Sequence, residues 1–166
     1  ASAIEIKTQS VKSKTFYNNI YKNYSNLISS TGISSLKDSL SNLPAIICSA
    51  GPSLDKNIQY LKAKRNNFLL ISVATALAPL NKNGLSPDFI VAIDPDEITI
   101  NFFDLHNNSE NTWLLYNPVV PSIIPDTFPG RRLTYDSSVY LAQWLQKYLG
   151  GKGSLEKIFS VAHAAF

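Results

Sequence analysis

Residues 45–55 read AIICSAGPSLD. An apolar run, Ala45–Ser49, gives way to the small-residue turn Ala50-Gly51-Pro52, after which Leu54, Ile58 and Leu61 recur at helical spacing. Strand, tight turn, helix is the opening of an α/β unit. The helix closes on Lys62, Lys64 and Arg65, where cations suit the negative end of its dipole.

The same alternation continues downstream. Phe68–Val73 is a second apolar strand, and Thr75 is expected to cap the helix of residues 76–83, whose Pro79 falls early enough to be tolerated. Gly84 ends that helix. Phe89–Ile93 is a third strand, ending at Asp94-Pro95-Asp96. A helix is expected over Ile98–Leu105, a fourth strand over Trp113–Tyr116, a proline-rich loop from Pro118 to Pro129 and a short fifth strand over Arg132–Tyr135. Val139, Leu141, Ala142, Leu145 and Leu149 mark a last helix, and Ile158–Val161 starts a further strand or turn.

Upstream, residues 1–14 are weakly patterned. Phe16, Ile20, Tyr24, Leu27 and Ile28 share one helical face, with Gly32 as a stop, and a second short helix carries Leu36, Leu40 and Leu43 behind a Ser34 or Ser35 cap. The expected architecture is a Rossmann-like, doubly wound α/β domain over residues 44–166 with a mostly parallel sheet. A helical appendage over residues 1–43 precedes it. Such sheets bind ligands beyond the carboxyl ends of their strands. The chain has no methionine and stops in mid-pattern at SVAHAAF, so it reads as a truncated fragment of a longer protein.

Composition narrows the function. Hydrophobic residues make up 45% and charged residues 16% of the 166, which excludes a disordered chain. No apolar run approaches the ~20 residues that span a bilayer. The single Cys48 permits no internal disulfide and reads as a small buried residue, in keeping with a cytoplasmic location. The formal charge of +3 resides wholly before Pro44, where Lys7, Lys12, Lys14, Lys22 and Lys37 face Glu5 and Asp38. The body is neutral, which argues against a nucleic-acid partner.

Several residues are placed for chemistry. Gly51 permits a tight turn and close ligand approach, Pro52 stiffens it, and Ser53 caps the helix or donates its hydroxyl to a phosphate. Taken alone, a Gly-Pro-Ser turn before a helix is more often plain turn-and-cap chemistry, and it is neither a P-loop nor a dinucleotide fingerprint. Asp94 and Asp96 form an Asp-x-Asp that suits a divalent ion through carboxylate oxygens, or simply a turn. Thr75 and Asn117 end strands where a base or ribose would lie. Arg131 and Arg132 form a cationic pair suited to a phosphate or to solvent. His106 reads as surface, and Ser160 and His163 belong to the closing block.

The blocks PAIICSAGPSLDKNIQYLK (44–62), Ala74-Thr75-Ala76-Leu77 and Gly84-Leu85-Ser86-Pro87-Asp88-Phe89-Ile90-Val91-Ala92-Ile93-Asp94-Pro95 resemble, in order and spacing over Phe16–Asp96, the MptE-like and motility-accessory-factor (Maf) family. Ser160–Ala165 is similar to the block opening the family's next helix. The resemblance implies one of two activities. Maf proteins transfer CMP-activated nonulosonic acids to flagellin Ser or Thr, whereas archaeal MptE-like relatives are 6-hydroxymethyl-dihydropterin diphosphokinases using ATP and Mg²⁺. The turn is also similar to the GPSL turn that lines the CMP site of certain bacterial sialyltransferases, which favours sugar transfer.

On that reading Ala50, Gly51, Pro52, Ser53, Thr75, Asn117 and Ser160 hold the nucleotide, Asp94 orders the catalytic site, no cofactor is required, and the catalytic base lies downstream. The diphosphokinase alternative makes Asp94 and Asp96 Mg²⁺ ligands. A third alternative is a nucleotide-free module that binds a flagellar or surface-protein partner through the basic N-terminal helices.

Overall fold

The computed structural model describes residues 3–103 and 110–149. Helices α1 (Ala3–Lys22) and α2 (Tyr24–Ser29) lead into strand β1 (Thr31–Gly32) and a 3₁₀ turn at Ile33–Leu36. Then come β2 (Ala45–Cys48), α3 (Pro52–Ala63), β3 (Leu69–Val73), α4 (Leu77–Lys82), β4 (Phe89–Ala92) and a 3₁₀ segment at Glu97–Phe102. The fold continues with β5 (Trp113–Tyr116), α5 (Ile123–Thr127), β6 (Arg131–Thr134) and α6 (Tyr140–Leu149).

The six strands form one all-parallel sheet in the order β1-β6-β5-β4-β3-β2. This is the expected Rossmann-like α/β arrangement. From β2 to β6 each crossover steps in the same direction, and right-handed connections then place the intervening helices on one face. The packing agrees. Leu54, Ile58 and Leu61 of α3 and Leu80 of α4 pack with Cys48 and Leu70, while Leu77 of α4 and Ile124 of α5 pack with Ile90, Leu114 and Tyr116. Leu70, Leu80, Ile90 and Leu114 are fully buried, each contributing about 1.5–3 kcal/mol relative to exposure. The opposite face, with Ile71, Val91, Leu115 and Leu133, receives Ile33 and Leu36 from the N-terminal segment. That segment is tied into the sheet, since Thr31 and Gly32 pair with Leu133 and Thr134.

Several local expectations change. α1 starts well before Thr15, and the face read from Phe16 to Ile28 breaks at Asn23, which separates α1 from α2. Phe16, Ile20 and Leu27 are buried, but Tyr24 and Ile28 turn out to solvent. Gly32 lies in β1 rather than stopping a helix. No helix forms around Leu40 and Leu43, because Asp38 (φ 61°) and Asn42 (φ 67°) adopt left-handed backbone that a helix excludes. Residues 97–102 form a 3₁₀ segment rather than an α-helix, and α5 arises inside the proline-rich loop. Gly84 does end α4. Its φ of 70° supports a Schellman turn in which the Leu85 N–H donates to the Leu80 carbonyl at 3.0 Å and the Gly84 N–H to Asn81 at 2.9 Å.

Candidate functional site

The carboxyl ends of β2 to β6 deliver the segments after Cys48, Val73, Ala92, Tyr116 and Thr134 to one edge of the sheet. Ala50, Gly51, Pro52, Ser53, Thr75, Asp94, Asp96 and Asn117 all lie in these segments, so the parallel topology brings the sequence-derived candidates to a common edge. Ser160, His106 and His163 lie outside the described residues.

The turn after β2 is open. Gly51, not Ser53, occupies the N-cap position of α3, with Pro52 at the first helical position. Proline is favoured there because its missing N–H costs no helical hydrogen bond. The Gly51 backbone is nearly extended (φ 159°, ψ 170°), and its carbonyl accepts from the Leu54 N–H at 3.0 Å. A Cβ placed on Gly51 would meet no atom within 4 Å. Ala50, Pro52 and Ser53 are exposed. Ser53 is therefore not a cap. It sits in the first turn, where the second helical position has no intrahelical acceptor for its N–H and the dipole favours an anion.

Thr75 does not cap α4. It is the exposed middle residue of a 3₁₀ turn at Ala74–Ala76, and Ala76 takes the cap position without a side-chain hydrogen bond.

The loops after β4 and β5 are, by contrast, heavily tied. Asn19 Nδ2 of α1 donates to the carbonyls of Pro95 (3.0 Å) and Val119 (2.6 Å), joining the two loops. One helical turn on, Asn23 Nδ2 donates to Pro118 (2.9 Å) and Val120 (2.7 Å). Asn26 Nδ2 reaches Asp126 Oδ1 at 2.7 Å, and its own Oδ1 accepts from Arg132 Nη1 at 3.0 Å. All three asparagines are buried, Asn23 completely. Sequence reading passed over them. The available signal was their spacing of four and three residues within the stripe of Phe16, Ile20 and Leu27, where polar side chains need partners.

Asn117 is committed to the same framework. Its Oδ1 accepts from the Val119 N–H at 3.1 Å, and its Nδ2 donates to the Tyr135 hydroxyl at 3.2 Å. Burial pushes the Tyr135 phenol up to about 12, against the opposing Asn117 hydrogen bond. Tyr116 is likewise raised to about 12 by burial, opposed by its hydrogen bond to Ser30.

Asp94 Oδ1 accepts from the Asp96 N–H at 3.1 Å, a turn geometry, and Lys12 Nζ of α1 lies 2.5 Å from Asp96 Oδ2. Mg²⁺ commonly takes one or two protein carboxylates and completes its octahedron with phosphate and water. Here one carboxylate is already balanced by an ammonium, and among the described residues no third His, Cys, Asp or Glu joins the pair. A divalent ion here would meet Asp94 directly and Asp96 only by displacing Lys12.

The arginine pair serves the fold. Arg131 stacks 4.9 Å over Trp113, and Arg132 Nη1 also donates to the Pro125 carbonyl at 2.9 Å. Asp88 sits at the opposite, amino end of β4, accepting from the Leu70 N–H at 2.7 Å and pairing with Arg65 at 2.9 Å. Cys48 is buried, which raises its thiol pKa. Among the described residues no helix is long and apolar enough to cross a membrane.

Comparison with known proteins places this geometry in a family. The family described as 6-hydroxymethylpterin diphosphokinase MptE-like matches residues 18–166, and the chain belongs to it. An uncharacterized protein of Treponema pallidum (strain Nichols) is 40% identical over 55 residues, which cover 33% of this chain and 26% of that protein. The structure of the MAf glycosyltransferase from Magnetospirillum magneticum AMB-1 aligns with a TM-score of 0.51 and 23% identity, over 57% of this chain and 15% of that one. At that identity the likeness bears on the fold alone. The chain spans a small part of the length of both relatives.

Proposed function

We propose that this chain is the nucleotide-binding front part of a Maf-type glycosyltransferase that takes a CMP-activated nonulosonic acid and delivers the sugar to a protein Ser or Thr, flagellin or another surface protein, in the cytoplasm. The observation that carries the reading is the open Ala50–Ser53 turn at the carboxyl end of β2, with free space at Gly51 and the N-terminus of a 12-residue helix behind it. Such a turn accepts a phosphate through the Ser53 N–H and hydroxyl with the helix dipole behind them, since Pro52 has no N–H and those of Leu54 and Asp55 donate to the Gly51 carbonyl. Thr75, after the adjacent β3, and Asn117, after β5 with β4 between them, lie on the same edge for the nucleoside, Asn117 already held by its loop, and Ser160 completes the proposed nucleotide-binding set. Asp94 orders the site.

Transfer is a single displacement. The acceptor hydroxyl oxygen bonds to the anomeric carbon as the bond from that carbon to the CMP phosphate oxygen breaks. CMP leaves, and the hydroxyl proton goes to a base expected downstream.

A second reading, an ATP- and Mg²⁺-dependent pterin diphosphokinase, draws on the description of the family. It requires Mg²⁺ to displace Lys12 from Asp96. Titration calorimetry separates the two. CMP and CDP are expected to bind without a divalent ion, and Gly51→Val is expected to weaken them at least tenfold by filling the open space. ATP binding that needs Mg²⁺ and vanishes in Asp94→Ala would establish the second reading instead. Absence of CMP and CDP binding, or indifference to Gly51→Val, would reject the first.

A further inference from the structure

α1 and α2 leave a row of side chains in solvent: Tyr17 (44% exposed), Tyr21 (79%), Tyr24 (47%) and Ile28 (52%). Their spacing of four, three and four residues puts them in one line along the helices. Helix α6 carries a second row, Tyr140 (74%), Trp144 (49%) and Tyr148 (72%), spaced by four. The two helices are joined through Phe16 and Ile20 on one side and Ala142, Leu141 and Leu145 on the other, so the rows stand on two helices that pack together. Large aromatics exposed in rows are unlike the scattered apolar residues of an ordinary surface, and Tyr and Trp are the residue types that anchor protein interfaces.

The charges that the row-bearing segments themselves carry have one sign, the nearby carboxylates of Asp96 and Asp126 being held by Lys12 and Asn26. Between Val11 and Leu36 the chain has Lys12, Lys14 and Lys22 and no Asp or Glu, and α6 has Lys147 and no Asp or Glu. Lys12 is spent on Asp96. Lys14 and Lys22 are exposed, and Lys14, three residues before Tyr17, shares its side of the helix surface. A second copy of this chain does not suit such a surface, because self-pairing sets lysines against lysines. A bilayer suits it less than a protein, because the rows consist mainly of hydroxyl-bearing tyrosines, with only Ile28 and Trp144 to insert.

We infer that the α1–α2 and α6 rows form a docking surface for an acidic, amphipathic segment of a partner protein. The tyrosine rings and Trp144 supply buried area, and Lys14 and Lys22 supply the charge match that steers encounter. Because α1 is bonded to the loops after β4 and β5, a partner docked here is held beside the carboxyl edge of the sheet. The inference does not depend on which nucleotide, if any, that edge binds.

The probe is a synthetic helical peptide with Glu on one face and Leu on the other, measured by fluorescence anisotropy at low and high salt against its Lys-for-Glu counterpart. Vesicles with and without phosphatidylserine are tested in parallel. The Glu peptide is expected to bind, and the Lys peptide not to. Tyr21→Ser combined with Trp144→Ser is expected to weaken binding at least tenfold, and Lys14→Glu combined with Lys22→Glu to abolish it. Tyr60→Ser, at an exposed position on α3, is expected to change nothing. All substituted positions are exposed, and an unchanged melting temperature confirms folding. Equal binding of both peptides, no binding of the Glu peptide, indifference to the Tyr21 and Trp144 changes, or binding to phosphatidylserine vesicles alone would overturn the inference.

Discussion

The carboxyl edge of this sheet has two halves built on opposite plans. After β2 the Ala50–Ser53 turn is held by its own backbone and by the Asn57 amide, which donates to the Ser53 carbonyl at 2.8 Å, with Gly51 at the helix cap and open space beside it. After β4 and β5 the loops are fastened by buried asparagine amides from α1 and its junction with α2, and Asp96 by a lysine. The first half offers unspent donors to a ligand. The second has spent its polar groups on holding shape. A site needs both: donors without partners, and a frame rigid enough that they do not find partners of their own.

The contrast breaks most visibly at Asn23. Asn23→Ala strands two buried carbonyls, and each stranded group costs about 1–3 kcal/mol. We expect a loss of about 2–4 kcal/mol by urea denaturation; a loss below about 1 kcal/mol would show that water replaces the amide and that the frame is not tied there.

Alkaline pH strikes the same frame. Tyr116 and Tyr135 titrate near 12 when folded against about 10 when unfolded. Below pH 10 both states hold the proton, so stability is level. Between pH 10 and 12 the unfolded chain ionises first, and stability falls by about 1.4 kcal/mol per unit for each tyrosine. Tyr135→Phe removes one of the two contributions, and urea denaturation across that pH range measures the flattened decline.

On the open side the effect moves from stability to binding. Ser53→Ala removes an exposed hydroxyl that caps nothing, so stability is expected to stay within about 0.5 kcal/mol, while calorimetry is expected to show several-fold weaker CMP binding. A stability loss above 1 kcal/mol would mean that the turn is also structural.

The smallest effect belongs to Lys12→Ala. Its side chain is 35% exposed and that of Asp96 46%, and pairs this wet are worth about 0–1 kcal/mol. The sharper readout is metal affinity. If Lys12 stands where a divalent ion would, the variant gains Mg²⁺ binding by calorimetry that the parent lacks.

Much of the edge was legible in residues 45–55 and 84–95. Apolar runs bounded by turn residues located β2, β3, β4 and β5 to within a residue, with Trp113–Tyr116 found as read, and Gly84 was identified as a helix end because only a left-handed residue closes that turn. Capping roles transferred poorly. Ser53 and Thr75 each sit near a helix start, but Gly51 and Ala76 take the cap positions, since the backbone path of the preceding turn decides which residue stands at the helix threshold.

By itself, then, the sequence determined the alternation of buried strands with helices, and hence a parallel sheet with its reactive turns gathered at one edge. Apolar periodicity is a local property, and parallel pairing follows from it. Tertiary structure alone decided that β1 joins β6, that Asn19 and Asn23 bind loops 76 to 100 residues away, and that Lys12 holds Asp96. Those partners meet only once the chain has folded back across the sheet, and a hydrogen bond between distant residues leaves no periodic trace in either of them.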